Sequence, residues 1–155
     1  MFRVHPSRTN AFRAPGITME LVLGHNSTPF ISAYPYSSGF GTKRSDPASL
    51  PEGNGAKIAF NNDGTEVVLG HASTAFMSAY PYSAGFGTKR SDPASLPTGT
   101  GQGISFDNDG SELVLGHFST PFISAYPYSS GFGTKRSDPS SLPAGDSLGV
   151  DFNQV

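Results

Sequence analysis

The phrase LVLGHNSTPFISAYPYSSGFGTKRSDPASLP, residues 21–51, returns as VVLGHASTAFMSAYPYSAGFGTKRSDPASLP at 67–97 and as LVLGHFSTPFISAYPYSSGFGTKRSDPSSLP at 113–143. His25, His71 and His117 are therefore 46 residues apart, with no insertion between copies. Between the phrases stand KIAFNNDGTE and GISFDNDGSE, and a truncated version, LGVDFNQV, closes the sequence with Phe152 again 46 residues after Phe106. A period of this size marks a repeat architecture in which each unit buries its apolar surface against the next.

Each unit reads as four strands. The first is Lys57–Asn61, with a short apolar alternation. Asn62, Asp63 and Gly64 make a tight turn, because Asp-Gly supplies the positive φ a hairpin demands. The second strand, Glu66–His71, is almost continuously apolar, as suits a strand covered on both faces. A third follows over Phe76–Tyr82 and ends or bulges at Pro81, which has no N–H for a ladder. The fourth, Phe86–Arg90, is more polar and reads as the outer edge. A four-stranded antiparallel meander repeated every ~40–50 residues predicts an all-β protein of propeller blades. A β-prism or β-solenoid built from the same hairpins stays open. The predicted blades are residues 19–56, 57–102 and 103–147, after a basic arm over 1–18 and before a surplus strand at 148–153.

Composition agrees with short strands and turns: 19 Gly and 13 Pro punctuate 155 residues, and 12 Phe and 6 Tyr supply most of the large apolar surface. A net charge of -2 gives no bulk attraction to nucleic acid or membrane. No cysteine is present, so disulfides and thiolate metal sites are excluded. No apolar stretch approaches the ~20 residues needed to span a bilayer, and MFRVHPSRTNAFRAPG has no apolar core of a signal peptide. A virion, cytoplasmic or non-classically exported location is expected.

The phrase IAFNNDGTEVVLGH followed by FMSAYPY resembles the opening of a WD-repeat blade, with Phe60–Gly64 and Phe106–Gly110 in the turn. More closely, GHxSTPFISAYPYSSGFGTKRSDPxSLPxG resembles the short propeller repeats of tailed-bacteriophage proteins, over about residues 19–155. With no Trp in the chain, the Trp-Asp pair of WD repeats is missing and their linking tetrad does not carry over. The resemblance implies a virion structural protein or a host-recognition propeller rather than an enzyme. No nucleophile motif, phosphate-cradling loop or paired carboxylates appear, so a non-catalytic protein without cofactor or metal is expected.

Propellers usually hold ~4–8 blades. Three blades leave two uncovered faces, and exposing about five aliphatic or aromatic side chains forfeits on the order of 10 kcal/mol per face. Closure by copies of the chain is expected, a dimer of three-blade chains being simplest and a trimer next. Leu148, Val150 and Phe152 of one copy would complete the first blade of another beside Leu21 and Leu23, the rival being that Asn10–Phe12 pairs within its own chain and the C-terminal strand lies elsewhere.

Three repeated features are candidates for binding. The pairs Tyr34/Tyr36, Tyr80/Tyr82 and Tyr126/Tyr128 put two rings on one face, either to stack on a sugar or to pack between blades. Lys43/Arg44, Lys89/Arg90 and Lys135/Arg136 could hold an anionic glycan or a partner loop, or merely discourage edge pairing. The histidines read as partners of their own turns rather than metal ligands. Repeated equivalent sites favour multivalent binding, so a lectin-like protein is the alternative to a virion component.

Overall fold

A computed structural model describes residues 19–153, and the basic arm expected at 1–18 falls outside them. Among the described residues are eight strands and no helix: β1 (Met19–Gly24), β2 (Ile31–Tyr36), β3 (Gly55–Phe60), β4 (Glu66–His71), β5 (Met77–Pro81), β6 (Gly101–Phe106), β7 (Glu112–His117) and β8 (Ile123–Pro127). They form three antiparallel sheets, β1-β2, β3-β4-β5 and β6-β7-β8. The protein is therefore all-β, with one sheet per sequence repeat.

The four-stranded blade is corrected by these sheets of two or three strands. Residues 86–90 do not form a strand. They meet β5 through two hydrogen bonds, Gly87 N to Pro81 O and Arg90 N to Ala79 O, both 2.8 Å, and an isolated bridge joins Phe86 to Tyr82 just beyond the strand. Pro81 offers no N–H here, so a regular ladder cannot start. In the first unit the described residues begin with β1.

The turns follow their side chains. Asn61 Oδ1 accepts the Glu66 N–H at 2.9 Å, Asp63 Oδ1 accepts the Thr65 N–H at 3.0 Å, and Gly64 sits at φ +74°. The same device recurs at Asp107, Asp109 and Gly110. Beyond the turn β4 is buried along its whole length, as its apolar run predicts. The core is formed by one cluster of Val67, Tyr80, Tyr82 and Ala33 and another of Val68, Met77, Leu113, Leu115, Tyr126 and Tyr128. Both clusters draw on more than one unit, so the core lies between the sheets.

Glycine lets the units meet. A Cβ on Gly24 would stand 2.9 Å from the Gly55 carbonyl carbon, and one on Gly70 would stand 3.0 Å from Gly101 O. The contact places Gly55 N within 3.0 Å of His25 O, and at the far end Ser147 N lies 3.2 Å from His117 O. Residues 147–151 thus lie against the third unit as β3 lies against the first. Ser105 Oγ donates to Asp151 Oδ1 at 2.9 Å, and Gly103 faces Gly149 at a distance no Cβ could enter.

Gly70→Ala is expected to destabilise the fold by about 1–3 kcal/mol, the range for overpacking a tight contact. Gly145→Ala, which meets nothing within 4 Å, is expected to be neutral. Thermal unfolding followed by circular dichroism distinguishes the two.

Candidate functional site

The most elaborate polar arrangement is the seam between units. Glu66 and Glu112 begin β4 and β7 immediately after the turn, and Glu20, the second residue of β1, is their counterpart in the first unit. Arg90, 24 residues after Glu66, grips it with two nitrogens: Nη2 donates to Oε1 and Nε to Oε2 at 3.3 Å. Tyr128, 62 residues after Glu66 and therefore in the next unit, donates its hydroxyl to Oε2 at 2.8 Å. Glu20, Arg44 and Tyr82 repeat the arrangement, with Tyr82 Oη to Glu20 Oε2 at 2.8 Å. The Arg44 guanidinium holds the Glu20 carboxyl below its usual range despite partial burial. Burial and the adjacent carboxylate push the Tyr82 and Tyr128 hydroxyls well above 10, so both are donors throughout the physiological range.

The first tyrosine of each pair crosses the same seam. Tyr80 Oη donates to Ser49 O at 2.9 Å and Tyr126 Oη to Ser95 O at 2.8 Å. Burial raises the Tyr126 hydroxyl to about 12. The rings meet the turn phenylalanine edge-on: Tyr80 and Tyr82 approach Phe86 at 5.7 and 5.4 Å, and Tyr34 and Tyr36 approach Phe40 at 6.1 and 5.2 Å. Tyr80, Tyr82, Tyr126 and Tyr128 are all buried, whereas Tyr34 and Tyr36 on the leading unit are half-buried.

The six cations sit as follows. Arg44, Arg90 and Arg136 all pair with the glutamate of their own unit. Lys43 bonds Asp46 at 2.6 Å, Lys135 bonds Asp138, and Lys89 reaches both Asp92 at 3.0 Å and Glu52 at 2.6 Å. A groove runs beside this segment, lined by residues 42–46 of one unit and Ala84, Gly85 and Phe86 of the next. It recurs between residues 88–92 and Ser130, Gly131 and Phe132.

The histidine rings reach across to the neighbouring strand. His25, His71 and His117 place Nε2 3.0 Å from Ser32, Ser78 and Ser124 on the neighbouring strand. Burial lowers the pKa of His71, against the opposing pull of Glu52, and burial lowers that of His117.

The glutamates, the seryl carbonyls and the serines facing histidine are absent from the candidates drawn from the sequence. A signal existed: Glu20, Glu66 and Glu112 share the 46-residue spacing of the histidines. Of the residues expected to close the oligomer, Leu21 and Leu23 lie exposed on β1, and Leu148 is 70% exposed at the other end of the molecule. Val150 and Phe152 are half-buried beside it.

No protein-family model matches the chain, and no curated protein matches it. A solved structure from Bacteroides fragilis, described as a putative 6-phosphogluconolactonase, superposes with a TM-score of 0.58 at 11% identity, covering 77% of this chain and 34% of that one. This chain therefore spans about a third of the length of the solved chain it matches. At that identity the likeness is one of fold, propeller-like and all-β. It corrects the expectation of a non-catalytic protein. The same architecture carries a chain described as an enzyme, and a missing contiguous motif is no ground for exclusion where a site can gather residues from separate units.

Two outcomes are expected. Tyr128→Phe removes a buried donor to a carboxylate and should cost about 1.5–3 kcal/mol in chemical denaturation, while Glu66→Ala, which strands Arg90 and Tyr128, should cost more. Burial disfavours the charged form of His71 and His117, so each takes up its proton at a lower pH in the folded chain than the unfolded value of 6.5. Their contribution is then complete above pH 6.5 and lost as pH falls through the folded values, because the unfolded chain takes up protons first. The melting temperature should be flat near pH 7–8 and decline below about 6.5, and His71→Gln with His117→Gln should flatten that slope.

Proposed function

We propose that the chain is a structural and binding protein of a bacteriophage particle that assembles with copies of itself into a propeller-type ring. The repeat GHxSTPFISAYPYSSGFGTKRSDPxSLPxG supports the phage assignment through its resemblance to tailed-phage propeller repeats. One observation carries the ring. The carboxylate seam is made twice within the chain, and Glu112 presents the same acceptor at the trailing end with no tyrosine partner among the described residues. An acceptor of the kind filled twice within the chain supports pairing with a further unit of the same repeat, which in this reading a second copy supplies.

A second reading, a multivalent binder, is favoured by the repeated groove beside Lys43 and Lys89. The tyrosine rings lie in the seam, which leaves the groove as the surface for an anionic glycan or partner loop.

Light scattering should give a mass of two or more chains, and the protein should co-sediment with phage particles at fixed stoichiometry. A monomer that stays out of particles overturns the structural assignment. Retention on a sulfated-glycan surface that is lost on Lys43→Ala, Lys89→Ala and Lys135→Ala would favour the binder.

A further inference from the structure

We propose that the two ends of the chain dock head-to-tail on a second copy, through a defined donor–acceptor code and a defined strand register. This rests on the ring assembly proposed above and names its interface.

The code is read from the internal seams. In each, the tyrosine pair of the following unit donates backward, the first hydroxyl to a seryl carbonyl and the second to the glutamate. Continuing the 46-residue period, the trailing end presents Ser141 O and the Glu112 carboxylate, and the leading end presents Tyr34 and Tyr36. Among the described residues, neither hydroxyl has a side-chain or backbone partner, and Glu112 keeps only its arginine and its turn. Exposure tracks the missing partner. The Glu112 side chain is 27% exposed against 7% for Glu66, and Arg136 is 56% exposed against 30% for Arg90. Phe40 is 70% exposed, whereas its counterparts Phe86 and Phe132 are half-buried against residues 42–46 and 88–92 of the preceding unit. The matching segment for Phe40, residues 134–138, lies at the trailing end.

The register comes from the sheets. Residues 147–151 lie against the third unit where the first strand of a following unit would lie, and pair with no second strand among the described residues. Among the described residues β1 pairs with β2 alone, whereas β4 and β7 each pair on both edges. Ile58 faces Leu69 and Phe60 faces Val67 across β3 and β4. Moved by the repeat, these pairs become Val150 against Leu23 of the partner subunit and Phe152 against Leu21 of the partner subunit. The Asn61 N–H bonds Glu66 O at 3.0 Å just beyond them, so Phe60/Val67 is of the non-hydrogen-bonded kind, whose Cβ atoms lie closer. Docking would cover the exposed leucines at both ends and place a donor hydroxyl on each waiting acceptor. Continuing the internal packing makes the contact heterologous, and two chains close it with two equivalent seams.

The absence of cysteine makes the register directly testable. Full-length Leu21→Cys/Phe152→Cys and Leu23→Cys/Val150→Cys chains, mildly oxidised, should form intermolecular disulfides, while Leu23→Cys/Asp151→Cys, one residue out of register, should not. Tyr36→Phe and Glu112→Gln should each weaken assembly by about tenfold per seam in sedimentation equilibrium. A wild-type chain that is an oligomer, but whose mass is indifferent to Tyr36→Phe and Glu112→Gln and whose in-register cysteines do not cross-link, overturns this interface and leaves the ring standing. A wild-type monomer, or disulfides formed only within one chain, overturns both.

Discussion

A carboxylate withdrawn from water must be paired, and that requirement organises this molecule. Glu66 ends the Asn-Asp-Gly turn, and its position is set by the Asn61 side chain holding its N–H. Its charge is answered from two directions, by Arg90 of its own unit and by Tyr128 of the next. The arginine fixes the path of residues 86–90, and the tyrosine fixes where the neighbouring sheet can sit. Moving either sheet along the seam would leave a charge and a hydroxyl without partners, a far larger loss than an aliphatic contact would suffer. The glycine contacts at Gly24 and Gly70 complement this: they let the backbones come close enough for the hydroxyl to reach.

The same requirement explains what was and was not legible in the sequence. Strand β4 runs over Glu66–His71 as read, because an apolar run bounded by Asp-Gly and by Gly-His leaves few alternatives. The segment at 86–90 reads as a strand because it is extended and polar, yet its lysine and arginine serve ion pairs rather than an edge. Arg90 needs one backbone anchor, its N–H on Ala79 O, to deliver the guanidinium to Glu66. The bulge between Gly55 and Lys57 is likewise invisible in residue pattern, being the product of the close approach to Gly24. Tyrosine chemistry was ambiguous for a related reason: an i, i+2 pair beside proline looks the same whether the hydroxyls face a sugar or a carboxylate 62 residues away. Only the fold brings that acceptor into view.

Repeated units linked by nearest-neighbour seams make stability a sum of unit and interface contributions. The buried strands β4 and β7 and the open strand β1 differ little in sequence, EVVLGH and ELVLGH against MELVLG, and differ in burial because of what adjoins them. Exposure at the ends is therefore a property of position in the array rather than of composition.

Near-identical units raise a problem of order, because any leading end fits any trailing end. The linkers are where the units differ. Glu52 reaches Lys89 across the first seam, whereas the equivalent position at the second is Thr98, whose hydroxyl donates to Thr120 O at 2.7 Å, and after the third it is Ala144. The first seam thus gains an ion pair, the second a neutral hydrogen bond, and the trailing end neither. Internal seams also form at the high effective concentration of a tethered neighbour, while a seam between chains must form at the concentration of the protein. Both effects act in the same direction: sheets of one chain would assemble in sequence order, and the proposed seam between copies would form last.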